Sequence, residues 1–455
     1  MNTPRTFLLI LLTLALLLSA CAAPAAAPQA FPVADAPAAA EGEISGDLVY
    51  WVMWNEGEPE QMVIAETVAE FEKAYPNVNV EVTWAGREVL TKVRSALLAG
   101  TQLDLVDHAA DELNAALMKN DLTTPLDNLL TEQAYGEDVQ FSDVFVPGVL
   151  EPYKVDGEVV FIPYQIITSA FWYDENFFSE NGLSVPETWD ELMQMCETLK
   201  GQDKACFAQD GTVDFYNAYF FYWLAERVMG PGAWHNAVSD TTGAAWDDPG
   251  WLKVAQMVQE PAEKGYFMPG WDGNIWPAGQ VAWSQGDAAA ILVGSWVPNE
   301  TKQTAKPDFK YRGFLFPEVE GGKGKMTEME SYLIGWVIPK DAQNAAAARE
   351  FMKFSMQKQF REKSVEEGKN MSARADVPIP DVLPDVKDWF DANTLLFKPY
   401  DGVQSDFPSW WISIFLPLDD QLITQQITAE EFIETLKAET VDYWSKPTPT
   451  PERDR

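Results

Sequence analysis

Apolar and polar positions follow three different patterns along this chain. An unbroken run of apolar and small residues occupies 7–18, with Arg5 just ahead of it. It is too short to span a bilayer stably and has the length of a signal-peptide core. From 22 to about 46 the chain is almost all Ala and Pro with a few acids, too poor in large apolar residues to fold. Periodicity starts after that. Residues 47–54 are nearly all apolar, as in a strand buried on both faces. Ile64, Val68, Phe71 and Tyr75 recur at helical spacing until Pro76-Asn77, and Val78, Val80, Val82 and Trp84 alternate as a strand. Leu90, Val93 and Leu97 predict a second helix that Gly100 ends, and 103–106 a third strand. This strand–helix alternation predicts an α/β fold with a parallel sheet.

A further unit begins near 185. Thr188 and Glu191 form a capping box behind Pro186, and Trp189, Leu192, Met193, Cys196 and Leu199 line one helical face. In parallel sheets, ligands meet the loops beyond the carboxyl ends of the strands. Two segments qualify by position: Trp54-Asn55-Glu56 after the first strand and Asp107-His108 after the third. The first joins an aromatic to amide and carboxylate groups, a mixture suited to a polyhydroxyl ligand.

The start of the chain carries an address. Leu18-Ser19-Ala20-Cys21 is the pattern at which bacterial lipoproteins are cut and lipidated on the cysteine. The expectation is a signal peptide over 1–20, a lipid on Cys21, an Ala/Pro-rich tether over 21–46 and a body on the outer side of a membrane, periplasmic or cell-surface. No second apolar stretch is long enough to cross. The body, about 410 residues, has length for two or three domains.

Charge narrows the partners. Seventy acids against 32 basic residues give a net charge of −38, which argues against nucleic acid. Besides Cys21 there are Cys196 and Cys206, ten apart in a compartment where disulfides form, either bridged or two thiols. Neither has a His or second cysteine at metal-ligand spacing, and no metal or cofactor is expected.

Six segments in order resemble a known family. FEKAYPNVNVEV (71–82), LLAGTQLDLV (97–106), FIPYQIITSAFWYDENFFSENGLSVPETWDEL (161–192), WSQGDAAAILVGSW (283–296), SYLIGWVIPKDAQNAAAAREFMKF (331–354) and ITAEEFIETL (427–436) carry the likeness. The chain is similar to the extracellular solute-binding proteins of the family that includes maltose-binding protein, receptors of carbohydrate importers driven by ATP. Leu103, Asp174, Asp287 and Ala290 depart from its usual residues at packing or turn positions. The resemblance implies two α/β lobes joined by a hinge, 47–166 plus 335–372 and 167–334 plus 373–455, with a ligand cleft between them. It also implies a monomer that delivers a small carbohydrate to the importer's permease subunits by hinge closure, without catalysis.

Eighteen Trp and 14 Tyr are a heavy aromatic load, and indole faces stack on the C–H faces of sugars. The resemblance turns Trp296 towards the cleft and makes Trp410-Trp411 a second platform. It sets Tyr164-Gln165 at one lobe crossing and Arg374 near another. Trp51, Trp189, Trp223 and Trp389 read as core; Trp271 and Trp276 read either as a lid or as packing. A cationic solute such as a polyamine is the alternative cargo, because the chain is so acidic. A secreted glycosidase would need only two carboxylates in a Trp-rich cleft, but no His-Glu-x-x-His or Gly-x-Ser-x-Gly occurs. A surface adhesin would share the anchor and tether without needing hinge strands.

Overall fold

The computed structural model describes residues 44–392 and 395–446. The expected signal peptide, Cys21 and the tether up to residue 43 lie outside the described residues. Among the described residues no helix is long and apolar enough to cross a membrane.

The chain opens β1 (Gly46–Val52), α1 (Pro59–Ala74), β2 (Val78–Trp84), α2 (Val89–Leu98), β3 (Leu105–Ala109) and α3 (Ala110–Ala116). Pro59 at the first position of α1 costs nothing there, because its missing N–H would be unpaired anyway. α1 buries Val63, Ile64, Thr67, Val68 and Phe71, so the periodic stripe is the core face. β1 pairs with β2 and β3 in parallel.

These three strands are parallel as the pattern predicts, and the sheet becomes mixed where an antiparallel strand enters it. Its order is β10-β4-β9-β3-β1-β2, with β4 Ile162–Ile167, β9 Tyr332–Val337 and β10 Met371–Ser372. β9 runs antiparallel to both β3 and β4. The reason is connectivity: β4 leaves this sheet for a second one, and β9 returns from it, so the two crossing strands run in opposite directions.

The second sheet has the order β8-β5-β7-β6, from β5 (Ser169–Asp174), β6 (Ala205–Ala208), β7 (Ala288–Gly294) and β8 (Tyr311–Phe314). Only Thr168 separates β4 from β5. α4 (Trp189–Lys200) precedes β6 and starts with the Thr188/Glu191 capping box in full. Cys196 and Cys206 are joined in a disulfide. α5 (Asp214–Met229) is buried on almost every side, which is why it reads as an apolar run without a stripe. It packs against α6 (Pro249–Glu263) and α9 (Leu416–Ile423).

Two helices after β9, α7 (Ala345–Ser355) and α8 (Lys358–Gly368), lie over the first sheet against α1. Arg361 of α8 meets Glu60 of α1 at 3.3 Å, both buried. α10 (Ala429–Ser445) packs on α6 and opens with a second capping box, Thr428/Glu431. The fold is therefore α/β with two lobes, each built on its own sheet.

Candidate functional site

At the carboxyl end of β3 the chain turns directly into α3, which presents Glu112 beyond the strand end. From the other sheet, β7 ends at Gly294 and delivers Trp296 two residues later. A Cβ on Gly294 would lie 2.1 Å from the Trp296 ring, so only glycine lets the indole fold back over the strand end. α5 supplies Phe215 and Tyr219, the start of β9 supplies Tyr332, and the segment before α9 supplies Tyr400 and Trp411. Together with Glu330 they line a cavity of about 510 Å³. Groups from both sheets and a crossing strand thus converge on one space, the position expected of a ligand site.

Its walls are stacked rings. Trp296 lies against Tyr216 with centroids 6.4 Å apart at 26°. Tyr219 stacks on Tyr400 at 5.5 Å and 20°, and Tyr400 meets Trp411 at 4.6 Å. Glu330 sits in the floor, 2 % exposed. The Ser169 N–H donates to its Oε1 at 2.7 Å, linking the start of β5 to the segment just before β9. Burial lifts its carboxyl to about 7, against the hydrogen bond from Ser169.

The other expected residues are distributed differently. Trp54 is nearly buried; its indole N–H donates to the Tyr164 hydroxyl at 2.8 Å. Arg87 covers the Trp54 ring at 4.6 Å and is paired with Glu58. Asn55 and Glu56 are exposed, and Asn55 Nδ2 donates to Glu58 at 2.9 Å. Asp107 and His108 lie inside β3 rather than beyond it, because β9 pairs with them and prolongs the strand. Asp107 is fully buried and accepts from Tyr164 and from the Met53 N–H. His108 Nε2 stands 3.1 Å from the Arg87 carbonyl, an acceptor only, so that nitrogen carries the proton.

Gln165 is buried in β4, and neither side-chain polar atom has a hydrogen-bond partner. Arg374 is occupied: Glu137 takes both terminal nitrogens and Asp376 the Nε. It borders a larger hollow of about 1070 Å³ formed largely by the proline-rich segment after it. That hollow receives nothing from the second sheet and lacks the stacked rings. Trp410 is wholly buried, with its indole N–H donating to Thr440 at 3.1 Å; of the adjacent pair, Trp411 lines the aromatic cavity. Trp189 and Trp223 are buried, Trp51 and Trp389 half-buried. Trp271 stacks on Phe267 at 4.3 Å, and Trp276 is half-exposed.

Sequence reasoning brought forward Trp296 and Trp411 but missed Glu112, Tyr219, Glu330, Tyr332 and Tyr400. A signal existed for Tyr219 alone: Phe215 and Tyr219 are four apart at the start of a helix, hence on one face.

Two α/β sheets joined by crossing strands, with a ring-lined cavity where both contribute, define a two-lobed solute-binding protein. The sequence matches the profile of the bacterial extracellular solute-binding protein family over residues 54–359, and the chain belongs to that family. It is similar to the diacetylchitobiose binding protein NgcE of Streptomyces coelicolor, 24% identical over 270 residues, 58% of this chain and 57% of that protein. It is also similar to the multiple sugar-binding protein of Streptococcus mutans, 27% identical over 181 residues, 38% of this chain and 41% of that protein. The chain spans about half the length of the curated relatives it matches. Among solved structures, a chitin oligosaccharide binding protein superposes with a TM-score of 0.70 at 19% identity, covering 88% of this chain and 100% of that one. Apo RafE from Streptococcus pneumoniae gives 0.71 at 19%, over 89% and 99%. At such identities these structures speak for the fold.

Proposed function

We propose that this chain is the lipid-anchored receptor of an ATP-driven importer and that it binds a mono- or oligosaccharide in the aromatic cavity. The observation that carries the reading is that cavity: Trp296, Phe215 and Tyr332 are partly open rings on its wall, backed by buried Tyr219, Tyr400 and Trp411, with carboxylates beside them. Sugar C–H faces lie on such rings while hydroxyls bond the carboxylates. The named ligands of NgcE and of the chitin oligosaccharide binding protein point the same way.

The lobes in this reading are 47–166 plus 335–372 and 167–334 plus 373–455, so the second crossing falls within β9. A ligand touching both lobes favours the closed arrangement, because only there are all its contacts made. The importer's permease subunits then meet a surface that neither lobe presents alone. Cys21 carries the lipid and 21–46 the tether, which hold the receptor, a monomer, on the outer side of a membrane, periplasmic or cell-surface. The chain itself catalyses nothing. Mass spectrometry of the mature N-terminus tests the anchor: an unmodified Cys21 would refute it.

The cargo is tested by thermal unfolding against mono- and oligosaccharides, polyols, polyamines and phosphorylated glycerols. A ligand present at about a hundred times its dissociation constant adds roughly 2.7 kcal/mol, a shift of a few degrees. A shift with sugars that stay intact supports the receptor; a shift with polyamines alone would replace carbohydrate by a cationic solute. Sugar breakdown would restore the glycosidase reading.

A further inference from the structure

The charges on the wall of the aromatic cavity are of one sign. Glu112, Asp214 and Glu330 contribute carboxylates, and among the described residues that line it there is no Lys, Arg or His. Glu330 is the buried one. Its Oε1 is occupied by the Ser169 N–H, while Oε2 is buried and makes no well-formed hydrogen bond, with the Tyr222 hydroxyl beside the carboxylate. Glu112 Oε2 is likewise buried and makes no hydrogen bond, with His108 Nδ1 4.0 Å away. Unsatisfied carboxylate oxygens in a ring-lined space call for donors, and best for a charged donor.

Resting on the sugar-receptor reading, we infer that the cavity selects an amino sugar, an oligosaccharide with at least one free protonated amine held by Glu330, with Glu112 and Asp214 adding to the field. The rings account for the sugar: Trp296, Phe215 and Tyr332 are partly open on the wall and give flat faces that a simple polyamine does not need. They serve the amine too, since a cation beside an aromatic face is attracted by it. Burial keeps Glu330 near half-protonated around neutral pH, and an arriving ammonium stabilises the ionised form that burial disfavours. An N-acetylated sugar lacks that charge. A uronic or phosphorylated sugar meets like charge from Glu112, Asp214 and Glu330.

The test is calorimetric titration of the full chain with four probes: a glucosamine trimer, its N-acetylated counterpart, a β-1,4-linked glucose trimer and spermidine. The glucosamine trimer is expected to bind about tenfold tighter than the glucose trimer, as a charge-assisted hydrogen bond at a buried carboxylate allows. Glu330→Gln keeps the acceptor for Ser169 and should bring that ratio to about threefold or less while leaving the glucose trimer little changed. Asp214→Asn, at an exposed position, should narrow the ratio by a smaller factor and covers the case in which Glu330→Gln does not fold. Equal or tighter binding of the glucose or N-acetylated trimer overturns the amino-sugar preference and leaves the sugar receptor standing. A ratio that neither variant narrows also overturns it. Binding of spermidine alone overturns both readings, whereas binding of none of the three sugars overturns the amino-sugar preference.

Discussion

The Tyr164 hydroxyl donates to Asp107 Oδ2 at 2.7 Å and accepts the Trp54 indole N–H at 2.8 Å. One hydroxyl thereby ties β4, β3 and the loop after β1 together beneath the first sheet's strand ends. Burial raises the Asp107 carboxyl to about 7, although Tyr164 and the Met53 N–H favour its charge. The folded value lies above the ordinary unfolded value near 4. As pH rises from about 4 to 7, the unfolded chain releases this proton and the native chain keeps it, so stability falls across that window. Asp107→Asn removes this contribution. Its unfolding free energy relative to the parent should rise by a few kcal/mol between pH 4 and 7, even though the variant loses part of the hydrogen-bond chain. Urea unfolding at a series of pH values measures the difference, and a pH-independent difference would assign the proton elsewhere.

Trp296 and Trp410 separate binding from folding. Trp296 is partly open and lines the cavity, so Trp296→Ala should weaken sugar binding by about tenfold or more, given the worth of an aromatic platform. Its melting temperature should change little by comparison. Trp410 has no exposed surface, and Trp410→Ala should cost about 3–5 kcal/mol of stability through the void it leaves. Calorimetry with the bound sugar and denaturant unfolding, run on both variants, give the two readouts. Equal loss of affinity in both would move the platform to Trp410.

Local pattern made the first half of the fold legible. The stripe through Ile64, Val68 and Phe71 and the alternation over 78–84 each became the element they announced. The mixed sheet was not legible from those elements, because β9 pairs with β3 across more than two hundred positions of chain and periodicity sees only neighbours. The same limit governs the site. Asp107 looked like a loop residue until β9 extended the strand past it. Nothing in the local pattern marks Glu330; the Ser169 N–H that meets its carboxylate comes from 161 positions away. Trp296 stood out through the family resemblance of its segment, and the structure adds that Gly294, two residues earlier, permits the fold-back.

Glu60 tests how α8 is fastened to the first lobe. Its Oε1 pairs with Arg361, and its Oε2 accepts from Ser364 on the same helix. Arg361 also donates through Nε to the Ser355 carbonyl at 3.0 Å. Glu60→Ala leaves the buried guanidinium without its counter-charge and should cost about 3–5 kcal/mol. The double change of Glu60 and Arg361 to apolar residues of similar volume should recover much of that loss, since the desolvation of both charges is removed together. A Glu60→Ala melting curve unchanged from the parent would show the pair to be dispensable.

Asp406 joins parts that move separately in a hinged receptor. Its Oδ1 accepts from Asn114 Nδ2 of α3 at 2.8 Å, and its Oδ2 from His235 Nε2 at 3.0 Å, on a helix of the other lobe. Burial opposes its charge, but the bond from His235 and the ammonium of Lys398 outweigh that and hold the carboxyl at about 2. The folded value lies below the unfolded value near 4, so the contribution is present above pH 4 and is lost as pH falls towards 2. Its size is on the order of 2 kcal/mol. Asp406→Asn should therefore destabilise the protein at pH 7 and matter little at pH 2. Because the contact spans the lobes, the same variant should also shift the scattering radius in the absence of ligand, as fewer bonds hold Asn114 to the opposite side. An unchanged radius with lowered stability would make Asp406 a fastening within one lobe only.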